Sequence, residues 1–209
     1  MKIELEHVLP EQIEARSFAI IEQELAHPLD AALAPIVKRV IHTTADFDYA
    51  DALCFSEGAV DRALDAIRDG AVFVTDTTMA LSGINKAALS RHGCEARCFI
   101  GDADVAEAAK RGNTTRAVQE MEKAARLDAP LVFAIGNAPT ALIRLYEMIR
   151  EGRLDPRLVI GVPVGFVNVV QSKELIMTAG VPYIVARGRK GGSNVAAAIC
   201  NALLYMLGR

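Results

Sequence analysis

Apolar residues recur at helical spacing through the first 70 residues of the chain. Four of them define one face of a helix near the N-terminus: Ile13, Phe18, Ile21 and Leu25. The same spacing returns over residues 30–42 and again over residues 56–70, where Gly70 suits a helix end. The pattern therefore predicts a helical N-terminal segment, residues 1–70.

After residue 70 the pattern changes to short, continuous apolar runs rich in β-branched residues. There are five such runs: 71–75, 96–100, 131–135, 158–162 and 182–186. Continuous apolar runs are typical of parallel strands buried on both faces, and helical patterns separate each run from the next. The chain is thus predicted to be a single α/β domain, residues 1–209, in which residues 71–209 form a parallel sheet covered by helices.

Composition limits the class of protein. Hydrophobic residues make up 52% of the chain, which is enough for a sizeable core. The net charge of −3 argues against a general nucleic-acid binder, which would carry a basic surface. No apolar run reaches the length of a membrane span, and the N-terminus lacks the apolar region of a signal peptide. Four cysteines without a disulfide pattern suit a reducing cytoplasm, so a cytoplasmic protein without a metal site is expected.

The segment that follows the last predicted strand carries the clearest chemical signal. Arg187, Arg189 and Lys190 precede Gly191 and Gly192, and Ser193 is placed to cap the next helix. Ligands of open α/β sheets bind at the carboxyl ends of the strands, and a helix N-terminus favours an anion. A solvated basic turn remains the alternative interpretation. Neither G-x-x-x-x-G-K-[ST] nor G-x-G-x-x-G occurs, which disfavours a nucleotide and points to a small polyanion.

His42 stands at the end of the second helical pattern and is a candidate general acid. The negative end of the helix dipole would favour its charged form, and so would nearby Asp46 or Asp48. A protonated imidazole beside a cationic pocket can donate a proton to a ligand. A structural, partly buried histidine is the alternative.

Several blocks of sequence resemble the precorrin-8X / cobalt-precorrin-8 methylmutase family. They are "IEARSFAII", "RVIHTTADFDYA", "VTDTTMALSGI", "IGNAPTAL", "GVPVGFVNVVQSKE" and "RGRKGGSNVAAAICNALL", and they span nearly the whole chain. The resemblance implies a flavodoxin-like three-layer sandwich, with a five-stranded parallel sheet ordered 2-1-3-4-5. It also implies a homodimer that needs no cofactor, and a reaction in which a methyl group moves from C11 to C12 of a carboxylate-rich tetrapyrrole.

The family's catalytic histidine falls on His42, so the resemblance implies that His42 protonates the macrocycle to allow a [1,5]-sigmatropic methyl shift. Further residues are candidates for holding the substrate's carboxylates. They are Arg16, Ser17, Thr77, Thr78, Arg116, Asn137, Thr140, Arg187, Arg189, Lys190, Gly191, Gly192 and Ser193. Arginine suits this role because its planar guanidinium binds both oxygens of a carboxylate.

Two other functions are weighed against the mutase. A non-catalytic corrinoid-binding module of the same fold would present its histidine in a D-x-H-x-x-G motif, which the sequence lacks. A methyltransferase that uses S-adenosylmethionine would carry a glycine-rich loop after the first strand, where this chain has "TDTTMAL". Turnover without a second substrate would distinguish the mutase from the methyltransferase.

Overall fold

The computed structural model describes residues 6–208, in which six strands form one sheet. The strands are β1 (Leu53–Phe55), β2 (Val72–Thr75), β3 (Glu95–Arg97), β4 (Leu131–Ile135), β5 (Leu158–Gly161) and β6 (Tyr183–Ala186). The α-helices within these residues are α1 (Ile13–Glu24), α2 (Ala34–Thr44), α3 (Tyr49–Ala52), α4 (Ala59–Arg68), α5 (Thr78–Gly83), α6 (Lys86–Arg91), α7 (Ala103–Arg111), α8 (Arg116–Ala124), α9 (Pro139–Arg150), α10 (Val169–Met177) and α11 (Ser193–Met206). None of them is long and apolar enough to cross a membrane. The predicted domain also included residues 1–5 and Arg209, which lie outside the described residues.

The sheet is mixed, and the prediction of five strands that are all parallel was wrong. Strands β3, β2, β4, β5 and β6 are parallel neighbours in that sequence, which is the predicted order 2-1-3-4-5. The sixth strand, β1, pairs antiparallel with β6, so that Leu53 lies opposite Ala186 and Phe55 lies opposite Ile184. Three residues are too few for a recognisable periodic pattern, and β1 exists because β6 supplies the hydrogen-bond partners.

Helices cover both faces of the sheet, which makes three layers. Side chains alternate along the buried strands, so neighbouring residues point to opposite faces. Phe73 and Ile160 pack in one core with α2, α4 and α11, whereas Phe133 and Val159 pack in a second core with α8, α9 and α10. The sequence pattern of continuous apolar strands follows from burial on both sides.

The helices α2 and α11 determine the position of the candidate functional site. Helix α11 is apolar nearly all round because it lies between the sheet and α2. Helix α2 buries a stripe formed by Ile36, Val37, Val40 and Ile41, and it ends at Thr44, after which Ala45 adopts a left-handed conformation. His42 is therefore in the last turn of α2, directly after the buried stripe, and is exposed to solvent.

Candidate functional site

The loops after β2 and β4 are joined by a buried carboxylate at the carboxyl end of the sheet. Asp76, which is 2% exposed, accepts hydrogen bonds from the backbone N–H groups of Gly136 (2.9 Å), Asn137 (2.8 Å) and Ala138 (2.6 Å). Burial raises the pKa of Asp76, and the three N–H donors oppose that rise. The Asn137 side chain does not cap α9, because Ala138 occupies the N-cap position and Asp76 binds the free amides.

The loops after β2 and β6 are joined by two hydroxyl groups. The side-chain oxygens of Thr77 and Ser193 lie 2.8 Å apart, and Thr77 also caps α5 by accepting from Ala80 N (3.1 Å). Ser193 was predicted to cap α11, but Gly192 holds the N-cap position and Ser193 is the first residue of the helix. The hydroxyl of Ser193 is therefore used for the contact with Thr77 and does not cap the helix.

The two glycines before α11 are required by close packing. Gly191 has φ 157° and Gly192 has φ 137°, a region that L side chains rarely adopt. A Cβ atom on Gly191 would overlap the carbonyl oxygen of Val162, and a Cβ atom on Gly136 would lie 2.7 Å from the Cα atom of Ser193. The N-terminus of α11 thus sits directly against the backbone at the ends of β4 and β5.

Arg187, Gly188, Arg189, Lys190, Gly191, Gly192 and Ser193 form what we call the cation segment. Arg187 is exposed, with its Nε atom 3.7 Å from Glu174 Oε1. The guanidinium of Arg189 lies over the ring of Phe166, 5.4 Å from its centroid. The Lys190 ammonium donates to Asp46 Oδ2 (2.6 Å) and Asp48 Oδ2 (2.5 Å). All three predicted cations thus belong to the segment at the carboxyl end of β6, and each lies beside a different partner.

His42 is linked to the cation segment through the loop that follows α2. The imidazole lies edge-on to Phe18 of α1, with the ring centroids 5.6 Å apart. Asp46 and Asp48, which were expected to support the charged imidazole, bind Lys190 instead, and the hydrogen bond from Lys190 lowers the pKa of Asp46. Within residues 6–208 no carboxylate is within hydrogen-bond distance of the His42 ring.

The other candidate side chains have varied surroundings. Arg16 is exposed and donates from Nε to Glu6 Oε1 (2.7 Å), while the Ser17 hydroxyl donates to the backbone oxygen of Ile13 (2.8 Å). An exposed ion pair of this kind is weak and can yield to a ligand. Thr78 begins α5 and is exposed.

Thr140 lies beside the start of α8, where Arg116 is the first helical residue. Thr115 caps α8 by accepting from Val118 N (3.2 Å), and its hydroxyl oxygen is also 3.1 Å from that of Thr140. Arg116 is the first residue of the helix and is exposed, with no ion pair among the described residues. Its guanidinium is therefore available to a ligand.

The burial of two charged groups was not predicted from the sequence. Lys173 on α10 and Glu120 on α8 are both fully buried. Burial lowers the pKa of Lys173 to about 8 and raises the pKa of Glu120 to about 7. The helical spacing of apolar residues in the sequence could have indicated this burial, because Lys173 and Glu120 each lie on the apolar face of their helix. The buried positions are Val169, Ser172, Lys173 and Ile176 in α10, and Ala117, Glu120, Met121 and Ala124 in α8.

The arrangement combines an exposed imidazole at a helix end with a group of cations and hydroxyl groups. Exposed apolar side chains accompany them at the carboxyl end of the sheet: Met79, Val164, Phe166 and Val167. Such a surface suits a flat apolar ligand with several anionic groups, to which the imidazole can give a proton.

Comparison with known proteins identifies relatives that match over most of the chain. The profile of the family described as "Precorrin-8X methylmutase" matches residues 12–206. The cobalt-precorrin-8 methylmutase of Salmonella typhimurium is 48% identical, over 95% of this chain and 96% of that protein. The precorrin-8X methylmutase of Pseudomonas aeruginosa is 40% identical, over 90% and 91% respectively. A crystal structure of precorrin-8X methyl mutase from Thermus thermophilus is similar with a TM-score of 0.85 at 40% identity, covering 93% of this chain and 96% of that one.

Proposed function

This chain belongs to the precorrin-8X methylmutase family, and we propose on that premise that it is an isomerase of corrin (cobalamin) biosynthesis. The reaction is the transfer of a methyl group from C11 to C12 within precorrin-8X or cobalt-precorrin-8, giving hydrogenobyrinate or cobyrinate. Relatives at 47% and 48% identity are named for cobalt-precorrin-8 and one at 40% for precorrin-8X, so both forms are tested as substrates.

His42 is the proton donor in this proposal. Its imidazolium protonates the macrocycle at or near the ring C nitrogen, which draws electron density from the conjugated system. The bond from C11 to the methyl carbon then breaks as the bond from C12 to that carbon forms, and the proton returns to His42. The single observation that carries this role is the exposed imidazole in the last turn of α2, linked to the cation segment through Asp46, Asp48 and Lys190. No activated nucleophile is needed for such a shift.

The acetate and propionate groups of the substrate are held by cations and hydroxyl groups around the carboxyl ends of the strands. Exposed Arg116, Arg187 and Arg189 are best suited, because a guanidinium can bind both oxygens of a carboxylate. The start of α11 adds free N–H groups and the positive end of a helix dipole beside Ser193. The exposed ring of Phe166 offers an apolar face to the macrocycle.

Two further expectations belong to the proposal. The enzyme acts as a homodimer, with sites near the interface, which the exposed apolar side chains Met79, Phe166 and Val167 support. It works in the reducing cytoplasm, which its four free cysteines support, and it needs no cofactor.

Turnover of both substrates should be measured with wild-type protein, His42→Ala and His92→Ala, using the absorption spectrum of the corrin product. His92→Ala is a matched control, because it removes an imidazole next to β3 at the opposite, amino end of the strands. We expect His42→Ala to bind hydrogenobyrinate and lose isomerisation, while His92→Ala remains active. Near-normal turnover by His42→Ala would refute the role of the imidazole. Binding without turnover by the wild-type protein would favour the corrinoid-binding module.

A further inference from the structure

Lys173 is a buried cation that the proposed reaction does not use. It lies on α10 at the end of the sheet where the cation segment begins, and none of its surface is exposed. Transfer of an ammonium group from water into a protein interior is unfavourable unless hydrogen bonds and charges compensate for it. The compensating groups therefore indicate what this lysine does.

The Lys173 ammonium is held by backbone carbonyls of the cation segment. Its Nζ atom donates to the oxygen of Gly188 (2.9 Å) and to the oxygen of Lys190 (2.8 Å). Within residues 6–208 it forms no ion pair with a carboxylate. The two acceptors lie on either side of Arg189, whose own carbonyl accepts from Gly165 N (3.2 Å). Three consecutive carbonyl groups are thus held in place, two of them by one buried side chain.

These contacts determine where the cations of the segment point. The peptide planes before and after a residue set its φ and ψ, and these set the direction in which its side chain leaves the backbone. Held between two anchored carbonyls, Arg189 directs its guanidinium over Phe166, and Lys190 reaches Asp46 and Asp48 on the loop after His42. An ammonium with three donors can bridge both carbonyls at once, whereas an apolar side chain of similar length can bridge neither.

We propose that Lys173 is a positioning residue for substrate binding, which holds the backbone around Arg189 so that the cation segment faces the substrate's carboxylates. This inference rests on the proposed function, because it takes the cation segment as the place where those carboxylates bind. Lys173 acts through Arg189 and Lys190 and does not touch the substrate.

A role in stability alone predicts a different outcome from a role in positioning. Removing the Lys173 ammonium relieves the cost of burying a charge but deprives two backbone carbonyls of their donor, so the two effects on stability oppose each other. Lys173→Met should therefore unfold at a temperature close to that of the wild-type protein. Loss of the charge-assisted hydrogen bonds should nevertheless release the segment, raise KM and weaken hydrogenobyrinate binding by about tenfold or more. The value of kcat at saturating substrate should change much less, because His42 is untouched.

The experiment compares Lys173→Met and Lys173→Gln with the wild-type protein and with Lys110→Met, an exposed lysine on α7. The amide of Lys173→Gln can still donate, so it should recover part of the lost binding and serves if Lys173→Met does not fold. Thermal unfolding, kcat, KM and hydrogenobyrinate titration are measured for each. A folded Lys173→Met with unchanged KM and product affinity would overturn the proposal.

Amide hydrogen exchange separates this proposal from the proposed function. If Lys173 positions the segment, exchange of the amides in residues 187–193 should accelerate in Lys173→Met and not in Lys110→Met, whether or not the protein turns over a corrin. Unchanged exchange would overturn the positioning role. An inactive wild-type protein would instead refute the proposed function.

Discussion

Replacing Glu120 with glutamine should stabilise the protein at alkaline pH and have little effect at acidic pH. The Glu120 carboxyl group is fully buried on α8, where Oε1 accepts from Phe99 N (2.6 Å) and Oε2 has no hydrogen-bond partner among the described residues. Burial, with a smaller contribution from the charge of Asp76, raises its pKa from 4.5 to about 7. The amide of Glu120→Gln keeps an acceptor for Phe99 and never carries the charge.

The sign of the effect follows from which state binds more protons. Between pH 4.5 and about 7 the folded protein holds a proton on Glu120 that the unfolded chain has lost, so stability falls as the pH rises. Above pH 7 both states are ionised, and the folded state carries the whole cost of the buried charge. The interval between the two pKa values corresponds to about 3 kcal/mol. Because the unpaired amide N–H offsets part of this, we expect Glu120→Gln to be about 1–3 kcal/mol more stable than wild type at pH 8.

Urea unfolding at pH 5 and pH 8 measures the effect as a difference in the free energy of unfolding. Glu122→Gln is a matched control on the same helix, because Glu122 pairs with Arg144 and with Arg153 (2.7 Å). Burial opposes those pairs, but together they lower the pKa of Glu122, so its loss should destabilise the protein at pH 8. A gain for Glu120→Gln of the same size at both pH values would refute the reasoning, as would a loss at pH 8.

Two further substitutions test the site. Gly191→Ala should reduce both stability and hydrogenobyrinate binding, because its Cβ atom would overlap Val162 O at a φ of 157°. Thermal unfolding and titration with hydrogenobyrinate would measure the two effects. A variant that matches the wild-type protein in both measurements would refute the close-packing argument. Arg116→Ala should weaken product binding by about 1.5–3 kcal/mol if a charge-assisted hydrogen bond to a carboxylate is lost. The control is Arg111→Ala on α7, which removes an exposed arginine with a long contact to Glu107 (3.8 Å) and should bind hydrogenobyrinate normally. Equal affinity of Arg116→Ala and Arg111→Ala for hydrogenobyrinate would exclude Arg116 from the site.

The periodic pattern of apolar residues was sufficient to predict the helices and strands that bury a continuous apolar surface. The buried strands β2, β4, β5 and β6 and the amphipathic helix α2 all fall where the sequence predicts them, within a few residues. Each has a regular run of apolar side chains, which is a property of the local sequence alone. Strand β3 is shorter than predicted, because the chain leaves the sheet after Arg97 and Phe99 N binds Glu120 instead.

The rules of the fold were enough to predict which loops of the site lie near one another, but not which side chains are in contact. The carboxyl ends of parallel strands meet at one edge, so the cation segment, Thr77 and the loop after β4 were expected to lie near one another. The roles of His42 and the carboxylate-binding residues came from the resemblance to the methylmutase family and stay predictions. The capping role expected of Ser193 was wrong, because Gly192 occupies the N-cap position of α11.

The sequence by itself determined the α/β class, which depends on local periodicity, and the family, which depends on motifs. The order of the parallel strands was implied only by the resemblance to that family. Only the tertiary structure decided that β1 joins β6, that Asp46 and Asp48 bind Lys190, and that Lys173 holds the carbonyls around Arg189. Each of these pairs is separated by many residues, and the same side chains could have been solvated or paired elsewhere. Burial decides the partners of β6 and of Lys173, since a buried strand edge or charge must be satisfied by whichever group the fold brings close. The partly exposed Lys190 pairs with Asp46 and Asp48 because the fold brings the two loops together.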